Sequence, residues 1–232
     1  MLVGVIGGSN LYDTFLFAQA RRKSVATSYG VADVYQNESI AFIPRHGSRR
    51  TIPPHMINYR ANLAALQAVG VRKVVGVCMV GSLKKAIKPP TILIPHDYVS
   101  LWSVPTFFND RVEHLTPLLD QSLREHLIST ARKNKIRVHE KGVYVQTSGP
   151  RLETEAEIRI LKNYGDVVGM TMASEATLAQ ELGLGYAAVC TVDNYANGIA
   201  KSPLDFRKIL EDAALHKESV VRLVVKSIEG LR

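Results

Sequence analysis

The chain has 232 residues, 46% hydrophobic and 22% charged, which suits one generous globular domain with a real core. Its net charge of +8 is dispersed (Arg21-Arg22-Lys23, Arg49-Arg50, Lys84-Lys85, Arg132-Lys133) and never interleaves with aromatics, which argues against a nucleic-acid surface and for a solvated one that attracts small anions. No apolar run reaches the roughly 18–20 residues of a membrane span, the N-terminus lacks a basic leader, and Cys78 and Cys190, both in apolar runs, suit the core of a cytoplasmic protein without disulfides.

In chain order, short β-branched runs alternate with longer helical stretches, the pattern of one α/β domain over residues 1–232. Val3–Ile6 reads as a buried strand, and Ser39–Pro44 as the next. Asn58–Val69 has helical spacing through Ala61, Leu63, Ala65 and Leu66. Lys73–Met79 and Thr91–Pro95 read as strands, and Leu118–Asn134 as an amphipathic helix. Arg137–Thr147 alternates like a strand. Thr154–Asn163 is helical, Val167–Met170 a short strand, Ser174–Leu182 helical and Tyr186–Val192 a strand. A closing helix covers Leu204–Ile228, starting near Ser202 or Pro203. Linkers, repeats and low-complexity segments are absent from the sequence.

Chemistry gathers where the strands end. The first strand runs into Gly7-Gly8-Ser9-Asn10, where glycines let backbone N–H groups face an anion and Ser9 adds a hydroxyl. The third glycine of a dinucleotide fingerprint is missing, and a tight turn explains the segment equally well on its own. Pro44-Arg45-His46-Gly47 supplies paired guanidinium donors and an imidazole, at the strand edge where α/β sheets take ligands. Met79-Val80-Gly81-Ser82 and Gly169-Met170-Thr171 repeat the pattern. No CxxC, HxxxH or carboxylate cluster points to a metal.

These motifs, with Asn58-Tyr59, Ala61-Asn62, Gly149-Pro150-Arg151 and Glu175, resemble in order and spacing the trimeric purine nucleoside and methylthioadenosine phosphorylases, from about residue 3 to about residue 230. The resemblance implies a mixed central sheet, partly closed into a barrel and flanked by helices, in a homotrimer or a dimer of trimers. It also implies a transferase that cleaves purine nucleosides with inorganic phosphate as co-substrate, without a cofactor, nucleic acid or membrane. Ser9, Arg45, His46 and Thr171 would hold phosphate, assisted by strand-end backbone near Cys78 and Met79. Cys78 departs from the hydroxyl residue of the methylthioadenosine branch. Met170 would lie under the ribose, and Leu152 stands where many members place a phenylalanine against the base.

Base choice rests on Val192-Asp193-Asn194-Tyr195-Ala196. Adenine-specific members carry aspartates on both sides of a tyrosine here. Matching that tyrosine to Tyr195 puts Asn194 and Ala196 at the acidic positions. Asn194 would then donate to a 6-oxo group or N7 and stabilise the departing base. Glu153 would accept the N1 hydrogen of a 6-oxopurine and oppose the N1 lone pair of adenine, unless it only caps the helix near Thr154. A one-residue slide puts Asp193 at the first acidic position and restores adenine. At the sugar's 5′ end, Leu204 and Phe206 would form an apolar pocket for a methylthio group, or simply belong to an amphipathic helix. His114 resembles a residue lent across the trimer interface to a neighbour's 5′ pocket, and a surface histidine remains the alternative. The leading substrate is methylthioinosine, followed by inosine and guanosine. The alternatives are a methylthioadenosine phosphorylase, a hydrolytic nucleosidase and a basic nucleotide- or RNA-binding module without catalysis.

Overall fold

A computed structural model of the chain describes residues 1–8, 11, 20–102, 104–200, 211, 214 and 217–231. At its centre four strands run parallel in the order β4 (Ile40–Pro44), β1 (Val3–Gly7), β5 (Lys73–Ser82) and β10 (Gly185–Tyr195). These are the most continuous apolar runs in the chain, as expected of strands covered on both faces. Their side chains alternate between two cores. In β5, Val74 and Cys78 enter one, while Val75 and Val77 enter the other. Helices α1 (Tyr59–Ala68) and α4 (Met172–Glu181) complete the first core through residues such as Leu63, Leu66, Met172 and Leu178. Helices α2 (Gln121–Lys133) and α5 (Lys217–Gly230) complete the second with Leu123, Leu127, Val220 and Leu223. Each such leucine taken out of water contributes about 1.5–3 kcal/mol.

The sheet grows from this centre in two directions. A hairpin of β2 (Arg21–Thr27) and β3 (Gly30–Gln36) adds antiparallel strands beyond β4. On the other side β5 outruns β1, and its Gly81 and Ser82 pair antiparallel with β9 (Val167–Gly169). The ladder continues in parallel through β8 (Val143–Gln146) to β7 (Asp97–Ser100). The outer edge of β10 pairs with β6 (Thr91–Leu93). Only residues 94–96 separate β6 from β7, yet among the described residues no ladder joins them, so the ring of strands is left open there. The remaining helix, α3 (Glu155–Leu161), packs Ile158 and Leu161 on Val145 and Val168.

Within the described residues the structure places strands or helices in all the predicted runs, with four informative differences. β5 and β10 extend to Ser82 and Tyr195, past the apolar residues that announced them, because each continues the other's ladder. Arg137–Thr147 narrows to Val143–Gln146. Upstream of it Arg124 donates to the Glu140 carbonyl and Arg132 pairs with the Glu140 carboxylate, so the chain follows α2, and His139 makes a single bridge to Leu93. The β2–β3 hairpin was not anticipated, since Val25 is the only buried residue of β2. β7 was also missed. Of the closing helix, Lys217–Gly230 is described, and its predicted start at 202–206 lies outside the described residues. Among the described residues no helix is long and apolar enough to cross a membrane.

Candidate active site

Because β1, β4, β5 and β10 are parallel, their carboxyl ends face one edge of the sheet, where α/β folds take ligands. A cavity of about 480 Å³ opens there, a volume that suits a small organic ligand. Gly8, Arg45 and His46 form one end; Asp193, Asn194 and Glu153 form the other; Met170 and Thr171 lie along its wall. The segment Arg50–Pro54 runs beside the Arg45 end.

Arg45 is buried at the base of its end. Its Nε donates to Glu175 Oε1 at 2.5 Å and Nη2 to Glu175 Oε2 at 3.0 Å. Nη2 also reaches the Ile6 carbonyl at 3.2 Å, and Nη1 the Val77 carbonyl at 2.8 Å. Among these bonds one Nη1 hydrogen is left over. Nη1 borders Gly8, where an added methyl group would come within 3.4 Å of it. Burial works against the Arg45 charge, but the Glu175 carboxylate outweighs it and holds the guanidinium well above its ordinary value. Glu175 is itself anchored by the Tyr186 hydroxyl, which donates to Oε2 at 2.8 Å. That hydroxyl explains Gly76, because any side chain there would collide with it at 2.0 Å.

His46 sits beside Arg45, and its Nδ1 donates to the Ile52 carbonyl at 2.8 Å. Burial first, and the neighbouring Arg45 charge second, push the imidazole below its ordinary value. The neutral tautomer with hydrogen on Nδ1 is therefore the resting form, and Nε2 is the ring nitrogen left for the cavity.

Thr171 begins α4. Its backbone N–H and that of Met172 both donate to the Tyr144 hydroxyl, at 3.0 and 3.3 Å, and Ser174 N–H donates to Gln146 Oε1 at 3.1 Å. β8 thus satisfies the first amides of the helix, which holds Met170 and Thr171 still at the cavity wall. Gly149 supports this from the other side. Its φ is +64°, and an added Cβ would sit 2.5 Å from Met170 Sδ. Cys78 does not line the cavity. Its thiol lies beneath, 3.6 Å from Arg45 Nη2 and 3.7 Å from Thr171 Oγ1, and burial pushes its pKa up.

At the opposite end the β5–β10 register shifts between Val192 and Asn194, making Asp193 the extra residue of a bulge. Both Asp193 and Asn194 consequently border the cavity. Asp193 is fully buried and accepts from Thr191 Oγ1 at 2.9 Å. Asn194 is half-buried, with Nδ2 on the Tyr195 carbonyl at 2.7 Å. Glu153 does not cap α3. Thr154 does, in a capping box with Glu157, and Glu153 instead accepts from Thr147 Oγ1 at 2.5 Å. Leu152 stands at the rim, 43% exposed.

The cavity thus brings together Arg45, His46, Met79, Met170, Thr171, Leu152, Glu153 and Asn194. His114 lies apart, in a surface depression with Thr177 and Glu181. Ser9 and Phe206 lie outside the described residues. Three contributors escaped the sequence reading: the Ile52 carbonyl that sets the His46 tautomer, Thr147 that holds Glu153, and Tyr186 behind Glu175. Only the first had a local signal, the Pro53-Pro54 pair that stiffens its segment. Among the described residues no group of histidines, cysteines and carboxylates gathers to hold a metal.

A protein of Archaeoglobus fulgidus described as "Probable 6-oxopurine nucleoside phosphorylase" is 42% identical over 233 residues, spanning 98% of this chain and 96% of the relative. One of Methanocaldococcus jannaschii, "Probable S-methyl-5'-thioinosine phosphorylase", is 38% identical, spanning 96% and 90%. The solved methylthioadenosine phosphorylase of Schistosoma mansoni in complex with adenine superposes with a TM-score of 0.93 at 26% identity, spanning 100% of this chain and 91% of that one. The family model for the phosphorylase superfamily matches residues 3–229, and the chain belongs to that superfamily.

Proposed function

We propose that this protein is a purine nucleoside phosphorylase that favours 6-oxopurines, with methylthioinosine ahead of inosine and guanosine. One observation carries the reading. One cavity is lined at one end by Arg45, His46 and Thr171, which suit an anion, and at the other by Asn194 and Glu153, which suit a purine edge, with Met170 between them. Phosphorolysis needs this polarity. An oxocarbenium-like transition state places positive charge on the sugar and negative charge on the leaving purine. Phosphate held under C1′ stabilises the cation and then bonds to it. The C1′–N9 electron pair leaves with the base, to which Asn194 donates. Met170 supplies an apolar bed for the ribose, and placement of the two reactants supplies much of the rate.

The relatives bear on the base. The Archaeoglobus and Methanocaldococcus proteins carry 6-oxopurine names, whereas the Schistosoma structure holds adenine. A 6-aminopurine reading also has Asp193 at the cavity wall in its favour. The half-buried amide of Asn194 and the Thr147-held carboxylate of Glu153 support the oxo pattern. We further infer the trimer, with His114 reaching a neighbour's 5′ pocket. Exposed Val112, Leu115 and Leu118 around His114 support an interface there.

A panel of inosine, guanosine, adenosine and the two methylthio analogues, assayed with and without phosphate, tests the proposal. Phosphate-dependent cleavage favouring the 6-oxo substrates is expected. Equal turnover without phosphate points to a hydrolase and ends the phosphorolytic reading.

A further inference from the structure

At the anion end of the cavity, which Arg50 also lines, the Arg45 charge is compensated within the protein. Glu175 neutralises Arg45 through two bonds, at 2.5 and 3.0 Å. His46 uses its Nδ1 hydrogen on the Ile52 carbonyl, and its Nε2 borders Gly8 beside Arg45 Nη1, 3.5 Å from where a methyl group at Gly8 would lie. A hydrogen on Nε2 would create an imidazolium next to a guanidinium at a half-buried position. Burial and Arg45 oppose that, and Glu175, already engaged by Arg45 and Tyr186, offsets only part of it. The ring therefore offers the cavity a lone pair rather than a hydrogen.

Hydrogen phosphate and sulfate are nearly alike in size, shape and charge. They differ in one atom this ring can read: the phosphate dianion carries an O–H, and sulfate has none. Resting on the phosphorolytic reading above, we propose that His46 recognises the anion as a neutral hydrogen-bond acceptor, so that the subsite takes protonated tetrahedral anions, hydrogen phosphate and hydrogen arsenate, and discriminates against fully ionised sulfate. Sulfate sets an oxygen lone pair against that of Nε2, and one mispaired buried acceptor weakens binding on the order of 10- to 100-fold. The hydrogen so held is also the one the reaction consumes. A phosphate oxygen bonds to C1′ and the C1′–N9 pair leaves with the purine. The sugar phosphate departs as a dianion and the free base carries the proton, so hydrogen phosphate balances atoms and charge without another acid.

Titration calorimetry of the intact protein with inorganic phosphate and with sulfate tests this. It is run at about pH 8, where phosphate is the monoprotonated dianion and histidine is neutral, in two buffers of different ionisation enthalpy. Phosphate is expected to bind without net proton uptake. Sulfate is expected to bind at least about 10-fold more weakly, or only with uptake of one proton. In His46→Gln, whose side-chain amide can turn either a donor or an acceptor to the anion, the ratio should fall to within about threefold. Equal affinities without proton uptake overturn the inference, as does proton uptake on phosphate binding. Either result leaves phosphorolysis standing if turnover still requires phosphate. Nucleoside cleavage that needs no phosphate overturns the underlying reading and the inference with it.

Discussion

Arg45 and Glu175 are 130 residues apart in sequence, and both are almost fully buried. Removing one charge from such a pair leaves the other stranded in a low-dielectric interior, at about 3–5 kcal/mol. Glu175→Gln should therefore lower stability by about that much in urea unfolding. It should also raise the KM for phosphate while leaving the KM for nucleoside nearly unchanged, because the guanidinium loses one of the two acceptors that hold it and meets an amide donor in its place. A stability loss with no change in the KM for phosphate would make the pair purely structural. Asn194 lines the other end of the cavity. Asn194→Asp replaces a donor by an acceptor and should move preference toward 6-aminopurines by roughly 10-fold or more. Unchanged oxo preference in a kcat/KM comparison would remove Asn194 from base recognition and turn attention to Asp193.

Among the elements, α3 shows how local chemistry places a functional residue. Thr154 Oγ1 accepts from Glu157 N–H at 3.2 Å, and Thr154 N–H donates to the Glu157 carboxylate at 2.7 Å. Because Thr154 takes the cap, Glu153 is released toward Thr147 and the cavity. Thr154→Ala should cost about 1 kcal/mol and weaken discrimination at purine N1, measured as a falling oxo-to-amino ratio. An unchanged ratio would detach Glu153 from the cap. Arg151 first, and the Thr154 amide second, hold the Glu157 carboxyl down to about 2. A carboxylate with a depressed value stabilises above its ordinary range, and its contribution fades as pH falls toward that value. The box therefore stays intact throughout the neutral range. The β2–β3 hairpin is the opposite case. Its outer strand β2 buries only Val25, and β3 buries only Ala32 and Val34 at alternate positions, so the apolar pattern that announced the central strands is short and weak here.

For the whole molecule, the proposed anion site has a thermodynamic consequence. A ligand that binds only the folded state adds about 2.7 kcal/mol at 100 times its dissociation constant. For a domain of this size each kcal/mol moves the Tm by about 2–4 °C. Saturating phosphate should thus raise the thermal midpoint by roughly 5–10 °C, read in a melting curve against a chloride control of equal ionic strength. The same shift with chloride would reduce the effect to general charge screening of a +8 protein. No shift at all would speak against a phosphate site in the free enzyme.

The sequence by itself determined seven of the ten described strands, four of the five helices in nearly full extent, and the chemical character of the strand ends. These depend on residue types a few positions apart: apolar runs for β1, β5 and β10, and donor-rich glycine turns directly after them. Only the tertiary structure decided how those ends work. It paired Arg45 with Glu175, so that a residue read as a free phosphate clamp is mostly committed within the protein. It set Cys78 below the floor, and the Asp193 bulge brought both Asp193 and Asn194 to the cavity. It chose the His46 tautomer through a carbonyl in the following turn. Each of these depends on the register between strands or the fold of a loop, and a change of one residue there redirects every side chain that follows.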